Sequence, residues 1–378
     1  MKKRLCCAAL ALLCLMPASA WAAAGEPAVE AGAALLMERD TGAVLYESNA
    51  HARLEPASVT KVMTMLLVME ALDSGRLALD DMVTASAHAA SMGGSQVYLK
   101  EGEQMSVRDL LKAVAVASGN DAAVALAEHL AGSEDAFVAR MNQRAEELGM
   151  EDTTFVNCTG LPAEGHLTSA YDIAVMSREL LSHPAIREYT TIWMDSLRDG
   201  QFQLANTNKL IRFYSGATGL KTGSTDTALY CLSASAERDG MELIAVVLQS
   251  PTSDQRFASA RALLDYGFAN YTLQEVWPNQ ALPPVEVLLG QSATVQPVLE
   301  ETPKVLVDKA DADKVTSEVT LCENVAAPVE QGQKLGEMTI YIDGVETRTV
   351  PLVAQAPVER LGFGDIFGRL LKILAMNG

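Results

Sequence analysis

The apolar positions of this chain change period several times between residues 31 and 271, and each change predicts an element. GAALLMERDTGAVLYESNA alternates apolar and polar positions well enough for two strands, with Asp40-Thr41-Gly42 as the hairpin turn. Apolar recurrences at helical spacing then predict helices over residues 58–72, 107–117 and 121–129. A fourth is predicted over residues 137–148, stopped by Gly149, because glycine accepts the left-handed turn that ends a helix. TALYCLSASAERDGMELIAVVLQS returns to a strand pattern on either side of Asp239-Gly240, and a helix over residues 253–266 follows. Strand pair, helices, strand pair, helix predicts an α/β (α+β) domain over residues 26–271, an antiparallel sheet with helices packed against it.

After Tyr271 the pattern shifts. Prolines gather at Pro278, Pro283, Pro284, Pro297 and Pro303, and short alternating runs (VEVLL, TVQPVL, KVLV, EVTL, MTIYID) replace the helices. They predict a separate β-rich domain over residues 272–357. In the last segment, residues 358–378, Phe363, Ile366, Phe367, Leu370, Leu371 and Leu374 recur at helical spacing, opposite Asp365, Arg369 and Lys372. Such a helix is too short to cross a bilayer but suits its surface. The alternative is a terminal helix packed on the β-domain.

The start of the chain has a third pattern. Lys2, Lys3 and Arg4 precede an apolar run over residues 5–16, then Pro17 and small residues, which is the form of a signal peptide over residues 1–22. The chain is therefore expected to be exported. Its 378 residues, 49% hydrophobic, suffice for two domains with a sizeable core. The net charge of -19 repels phosphates and disfavours a nucleic-acid partner. Removing the signal peptide leaves Cys158, Cys231 and Cys322, with no C-x-x-C spacing. Buried free thiols are expected, with a Cys158–Cys231 bridge as the alternative. The five histidines show no metal-binding spacing, so neither metal nor cofactor is expected.

Three polar clusters carry the candidate chemistry. In Ser58-Val59-Thr60-Lys61, residues three apart share one helix face, so Lys61 Nζ can reach Ser58 Oγ. A serine becomes a nucleophile when a base takes its proton. Lysine can be that base only if burial or a nearby cation lowers its pKa, and the apolar run after Lys61 predicts burial. Ser118-Gly119-Asn120 stands at a helix junction, where a serine can relay a proton and an asparagine can hold an amide. Lys221-Thr222-Gly223 precedes a strand-rich run; on a strand Lys221 and Gly223 face one way and Thr222 the other. Glycine at 223 would let a substrate backbone approach closely.

Singly these clusters are common. Together, in this order, they match the S-x-x-K, S-D-N and K-T-G triple of class A β-lactamases and penicillin-binding proteins, with S-G-N in the middle. With PASVTK, ASGNDAA, FVNCTGL, NTNKL and GLKTGST in place, the chain resembles the low-molecular-mass penicillin-binding proteins of the D-alanyl-D-alanine carboxypeptidase family. The resemblance implies a β-lactamase-like transpeptidase domain with a helical subdomain, then a small all-β domain and an amphipathic tail. It implies a serine-type carboxypeptidase that removes the terminal D-alanine from peptidoglycan pentapeptide stems and binds β-lactam antibiotics covalently. Location would be the outer face of the bacterial cytoplasmic membrane, with the tail on the membrane surface.

Carried over by motif, Ser58 is the acylated nucleophile, Lys61 its base and Ser118 the relay. Asn120 binds substrate, Lys221 and Thr222 hold the terminal carboxylate, and Gly223 belongs to the same strand. The backbone N–H groups of Ser58 and Ser224 form the oxyanion hole. Arg256 matches a family arginine near the carboxylate site, with a surface salt-bridge arginine as the alternative. Close relatives often have histidine where this chain has Ser224, which bears on substrate contacts but not on a backbone donor. A class A-like β-lactamase is disfavoured by S-G-N, the extra domain and the tail. A D,D-endopeptidase and a non-enzymatic wall-binding protein stay open.

Overall fold

The computed structural model describes residues 25–368. The expected signal peptide lies outside the described residues, as do residues 369–378 of the expected amphipathic tail.

β1 (Ala33–Glu38) and β2 (Val44–Ser48) form the hairpin expected around Asp40-Thr41-Gly42. With β3 (Ala217–Thr225), β4 (Leu229–Arg238) and β5 (Met241–Ser250) they build an antiparallel sheet in the order β2-β1-β5-β4-β3, so β3 closes one edge. The alternation expected of β1 is absent, since all six of its residues are buried. Ala33, Leu35 and Met37 enter one core and Ala34 and Leu36 the other, and a strand covered on both faces has no polar side to alternate with.

The first core is packed by α1 (Lys61–Asp73), α2 (Val107–Ala117), α3 (Asn120–Ala131), α4 (Glu134–Glu147) and α5 (Ala170–Leu181). The second is covered by α6 (Ser253–Asn270). Helix α5 is an addition to the sequence-based expectation; Ser169 caps it, its Oγ accepting from Asp172 N at 3.1 Å. The single helix expected over residues 58–72 is divided, because Ala57–Thr60 form a 3-10 turn before α1 starts at Lys61. α1 runs through the core without a polar face. Met63, Met65 and Leu66 are fully buried on it, each contributing about 1.5–3 kcal/mol by leaving water.

Beyond α6, among the described residues, every regular element except one 3-10 turn and one helical turn is a strand. β6 (Tyr271–Glu275) pairs with β10 (Lys304–Asp308). β7 (Val285–Leu288) lies between β8 (Thr294–Val295) and β12 (Asn324–Ala326). β9 (Pro297–Leu299), β14 (Val345–Ala354), β13 (Lys334–Ile342) and β11 (Val315–Leu321) form a four-stranded sheet in that order. Residues 363–368 are helical, and their Phe363, Ile366 and Phe367 are exposed rather than packed on these sheets. Cys158, Cys231 and Cys322 are free; the first two are buried as expected, whereas Cys322 is exposed.

Candidate active site

The 3-10 turn and α1 place Ser58 and Lys61 three residues apart on one side of the chain. Lys61 is fully buried, and its Nζ lies 3.0 Å from Ser58 Oγ. Two further acceptors hold it, Asn120 Oδ1 at 2.6 Å and Thr159 O at 2.7 Å. Burial disfavours the ammonium and lowers its pKa to about 7, against weaker opposing pulls from Cys158 and Asp121. In the neutral amine two N–H bonds serve Asn120 and Thr159, which leaves the lone pair for the hydrogen of Ser58 Oγ.

Both acceptors are themselves held. Asn157 Oδ1 accepts from Thr159 N (3.1 Å), Thr159 Oγ1 (3.0 Å) and Gly160 N (2.7 Å), a turn that aims the Thr159 carbonyl at Lys61. Asn120 opens α3, donates from Nδ2 to Gly93 O at 2.7 Å and from its backbone to Ser95 O at 2.7 Å. The carboxylate of the next residue, Asp121, accepts from Val97 N and Leu99 N, so it ties the same loop to the helix. Ser118 is the left-handed C-cap of α2 (φ +62°), and its buried Oγ has no hydrogen-bond partner.

β3 forms the opposite wall. Gly223 faces the 3-10 turn, and Thr222 Oγ1 donates to Thr207 Oγ1 at 2.7 Å. Gly223 is required by the protein's own backbone: a Cβ there would stand 2.7 Å from Pro56 O and 2.8 Å from Ser58 N. Substrate approach is thus not the first reason for this glycine. Lys221 is buried, with Nζ on Thr222 O at 2.9 Å, and its pKa is pushed well down by burial and by the charges of Lys61 and Arg256. Ser224 is exposed next to Gly223.

Arg256, on α6, is no surface residue. Buried, it donates from Nη1 to Gly223 O and Cys231 O, each at 3.2 Å, while Phe257 and Tyr230 lie against its guanidinium. Burial lowers its pKa to about 10. Among the described residues none of Lys61, Lys221 and Arg256 forms an ion pair, and Lys61 and Arg256 both bear on Lys221. Elsewhere Glu70, Glu179 and His183 approach one another closely, but Arg144 already bonds both carboxylates at 2.7 Å.

A serine 3.0 Å from a buried lysine thus lies beside the edge strand of an antiparallel sheet. The chain belongs to the D-alanyl-D-alanine carboxypeptidase family, whose model matches residues 20–252. Residues 276–360 match the penicillin-binding protein 5 C-terminal domain. The D-alanyl-D-alanine carboxypeptidase DacF of Bacillus subtilis is 46% identical over 89% of this chain and 88% of its own. Penicillin-binding protein 5 from Haemophilus influenzae superposes with a TM-score of 0.76 at 30% identity, over 89% of this chain and 100% of that one. Penicillin-binding protein D2 from Listeria monocytogenes, in its ampicillin-bound form, gives 0.59 at 36% identity over 64% of this chain and 98% of its own.

No motif in the sequence assigns a role to Thr159, Asn157, Thr207 or Asp121. Thr159 acts through its carbonyl, which no side-chain pattern announces. The Asn-x-Thr-Gly turn around it is the one local signal, because asparagine and glycine favour tight turns.

Proposed function

We propose that this protein is a serine D-alanyl-D-alanine carboxypeptidase acting on peptidoglycan pentapeptide stems, with Ser58 as the acylated residue. One observation carries the assignment of roles: the fully buried Lys61 Nζ, 3.0 Å from Ser58 Oγ and fixed by two other acceptors. Ser58 Oγ attacks the carbonyl of the penultimate D-alanine as Lys61 takes its proton. Ser118 Oγ passes a proton to the departing amine, D-alanine leaves, and water then releases the shortened stem from Ser58. Asn120 holds the stem's amide. The backbone N–H groups of Ser58 and Ser224 stabilise the oxyanion, where losing one donor costs about 100-fold or more in rate.

The terminal carboxylate is assigned to Lys221 and Thr222, with Arg256 adding charge from behind Gly223. Lys221 and Arg256, buried and without an ion-pair partner among the described residues, favour such a ligand. A β-lactam offers the same carboxylate and a strained amide, so it acylates Ser58 in the same way. The division into a catalytic domain over residues 26–271, a β-domain over 272–357 and a tail belongs to this proposal. So do export and tail-mediated attachment to the membrane surface; among the described residues no helix is long and apolar enough to cross a membrane.

Labelled penicillin followed by peptide mapping tests the reading. The adduct is expected on the Ser58 peptide of the wild type and absent from Ser58→Ala. Equal labelling of both proteins would refute it.

A further inference from the structure

His166 is buried, pairs with no charged group and lies outside all three motifs. Its ring nonetheless has a single hydrogen-bonding arrangement. Val156 N donates to Nδ1 at 3.0 Å, so Nδ1 carries a lone pair and the ring hydrogen sits on Nε2. Nε2 lies 2.8 Å from Thr60 Oγ1, and Thr60 directs its one hydroxyl hydrogen to Ala57 O at 2.9 Å. From the far end the same direction follows, because a carbonyl only accepts. Burial favours the neutral ring, whose pKa falls to about 4, so the arrangement persists at neutral pH.

The chain ends on an unusual residue. Ala57 has φ +47°, a region that residues with a Cβ rarely occupy, and such strain persists only where the surroundings over-determine it. Ser58 follows directly, so rotation at Ala57 would carry its Oγ away from Lys61. Two glycines make room here. A Cβ on Gly160 would come within 1.8 Å of Ala57 O, and one on Gly223 within 3.0 Å of Ala57 Cβ. Glycines permit a conformation without holding it. The hold comes from the bond that His166 orients through Thr60.

We infer that His166 is a positioning residue for acylation, fixing the nucleophile's turn through Thr60 and the Ala57 carbonyl. The inference rests on the assignment of Ser58 as the acylated serine. A merely structural role would run through the other ring nitrogen, which ties down Val156. Two substitutions separate them. His166→Asn keeps a polar atom near Nδ1 for Val156 but cannot reach Thr60. His166→Gln reaches the Nε2 position and gives up Val156.

First-order acylation by a fluorescent penicillin, penicillin affinity before acylation, and melting temperature are measured for each. His166→Asn is expected to slow acylation on the order of 10- to 100-fold with affinity little changed, as small misplacements of reacting groups do. His166→Gln is expected to recover most of that loss. Thr60→Val, which removes only the hydroxyl, should behave like His166→Asn and serves in its place if that variant does not fold. Combining Thr60→Val with His166→Asn should cost no more than either alone, because one chain is broken once. Asparagine equal to wild type, or glutamine slower than asparagine, overturns the inference. If the wild type itself is not acylated at Ser58, the functional reading falls with it; an acylating wild type with insensitive variants overturns the role of His166 alone.

Discussion

Gly223→Ala adds one carbon where β3 presses on the nucleophile's turn. That carbon would stand 2.7 Å from Pro56 O, 2.8 Å from Ser58 N and 3.0 Å from Ala57 Cβ. Two of these neighbours are backbone atoms and cannot rotate aside. Restoring ordinary contact requires the strand and the turn to part by about 0.7 Å. Neither is free to move: β3 is paired with β4 along its length, and Arg256 Nη1 bonds Gly223 O. Gly223 has no left-handed φ, so the cost is steric, roughly 1–3 kcal/mol by analogy with other overpacked sites. Catalysis should suffer more than stability. A displacement of this size opens the 3.0 Å contact between Ser58 and Lys61, and misplacement by about 1 Å costs on the order of 100-fold. Stopped-flow acylation with a fluorescent penicillin, run beside thermal denaturation, reads both. A folded Gly223→Ala protein that acylates within about threefold of wild type would show that strand and turn do not position each other.

Two further predictions concern the base and the tail. Lys61 is lowered to about 7, so the neutral form that accepts a proton grows as pH rises through that value. Acylation kcat/KM should therefore climb with pH and level off above about 8; a flat profile between about 6 and 8 argues against Lys61 as the base. Deleting residues 361–378 should move the protein from the membrane fraction to the soluble one, and an unchanged distribution argues against the tail as an anchor.

Most of the fold was legible because periodicity reports burial. The β1–β2 hairpin, α2, α3 and the β4–β5 pair lie within a few residues of their expected positions. Burial removes the pattern from β1, which is covered on both faces and does not alternate, and the helix expected from residue 58 starts as α1 only at Lys61, after a 3-10 turn. β14, ten residues from Val345 to Ala354, was unexpected; charged residues and a proline interrupt its apolar positions, and pairing with β13 and β9 makes it a strand. At the site, the motifs carried side-chain chemistry but not its supports. Thr159 contributes a carbonyl, Gly160 and Gly223 contribute the absence of a Cβ, and His166 acts across 106 residues on Thr60. None of these has a spacing to read.

The three buried basic side chains connect the fold to its chemistry. An unpaired buried charge opposes folding, and each of Lys61, Lys221 and Arg256 carries that opposition as a lowered pKa. For a base held below its usual pKa, the unfolded chain binds more protons, so this opposition is relieved as pH rises. A protein selected for stability alone would pair each of them with a carboxylate. Its absence leaves two properties that a paired site would lose. Lys61 stays close to neutrality, where it can accept the proton of Ser58, and Arg256, lowered only to about 10, stays positive behind Gly223 for an anionic chain end. On this reading a protein carboxylate near Lys221 would harm both at once, by raising the pKa of Lys61 and by occupying the place of the substrate's own carboxylate.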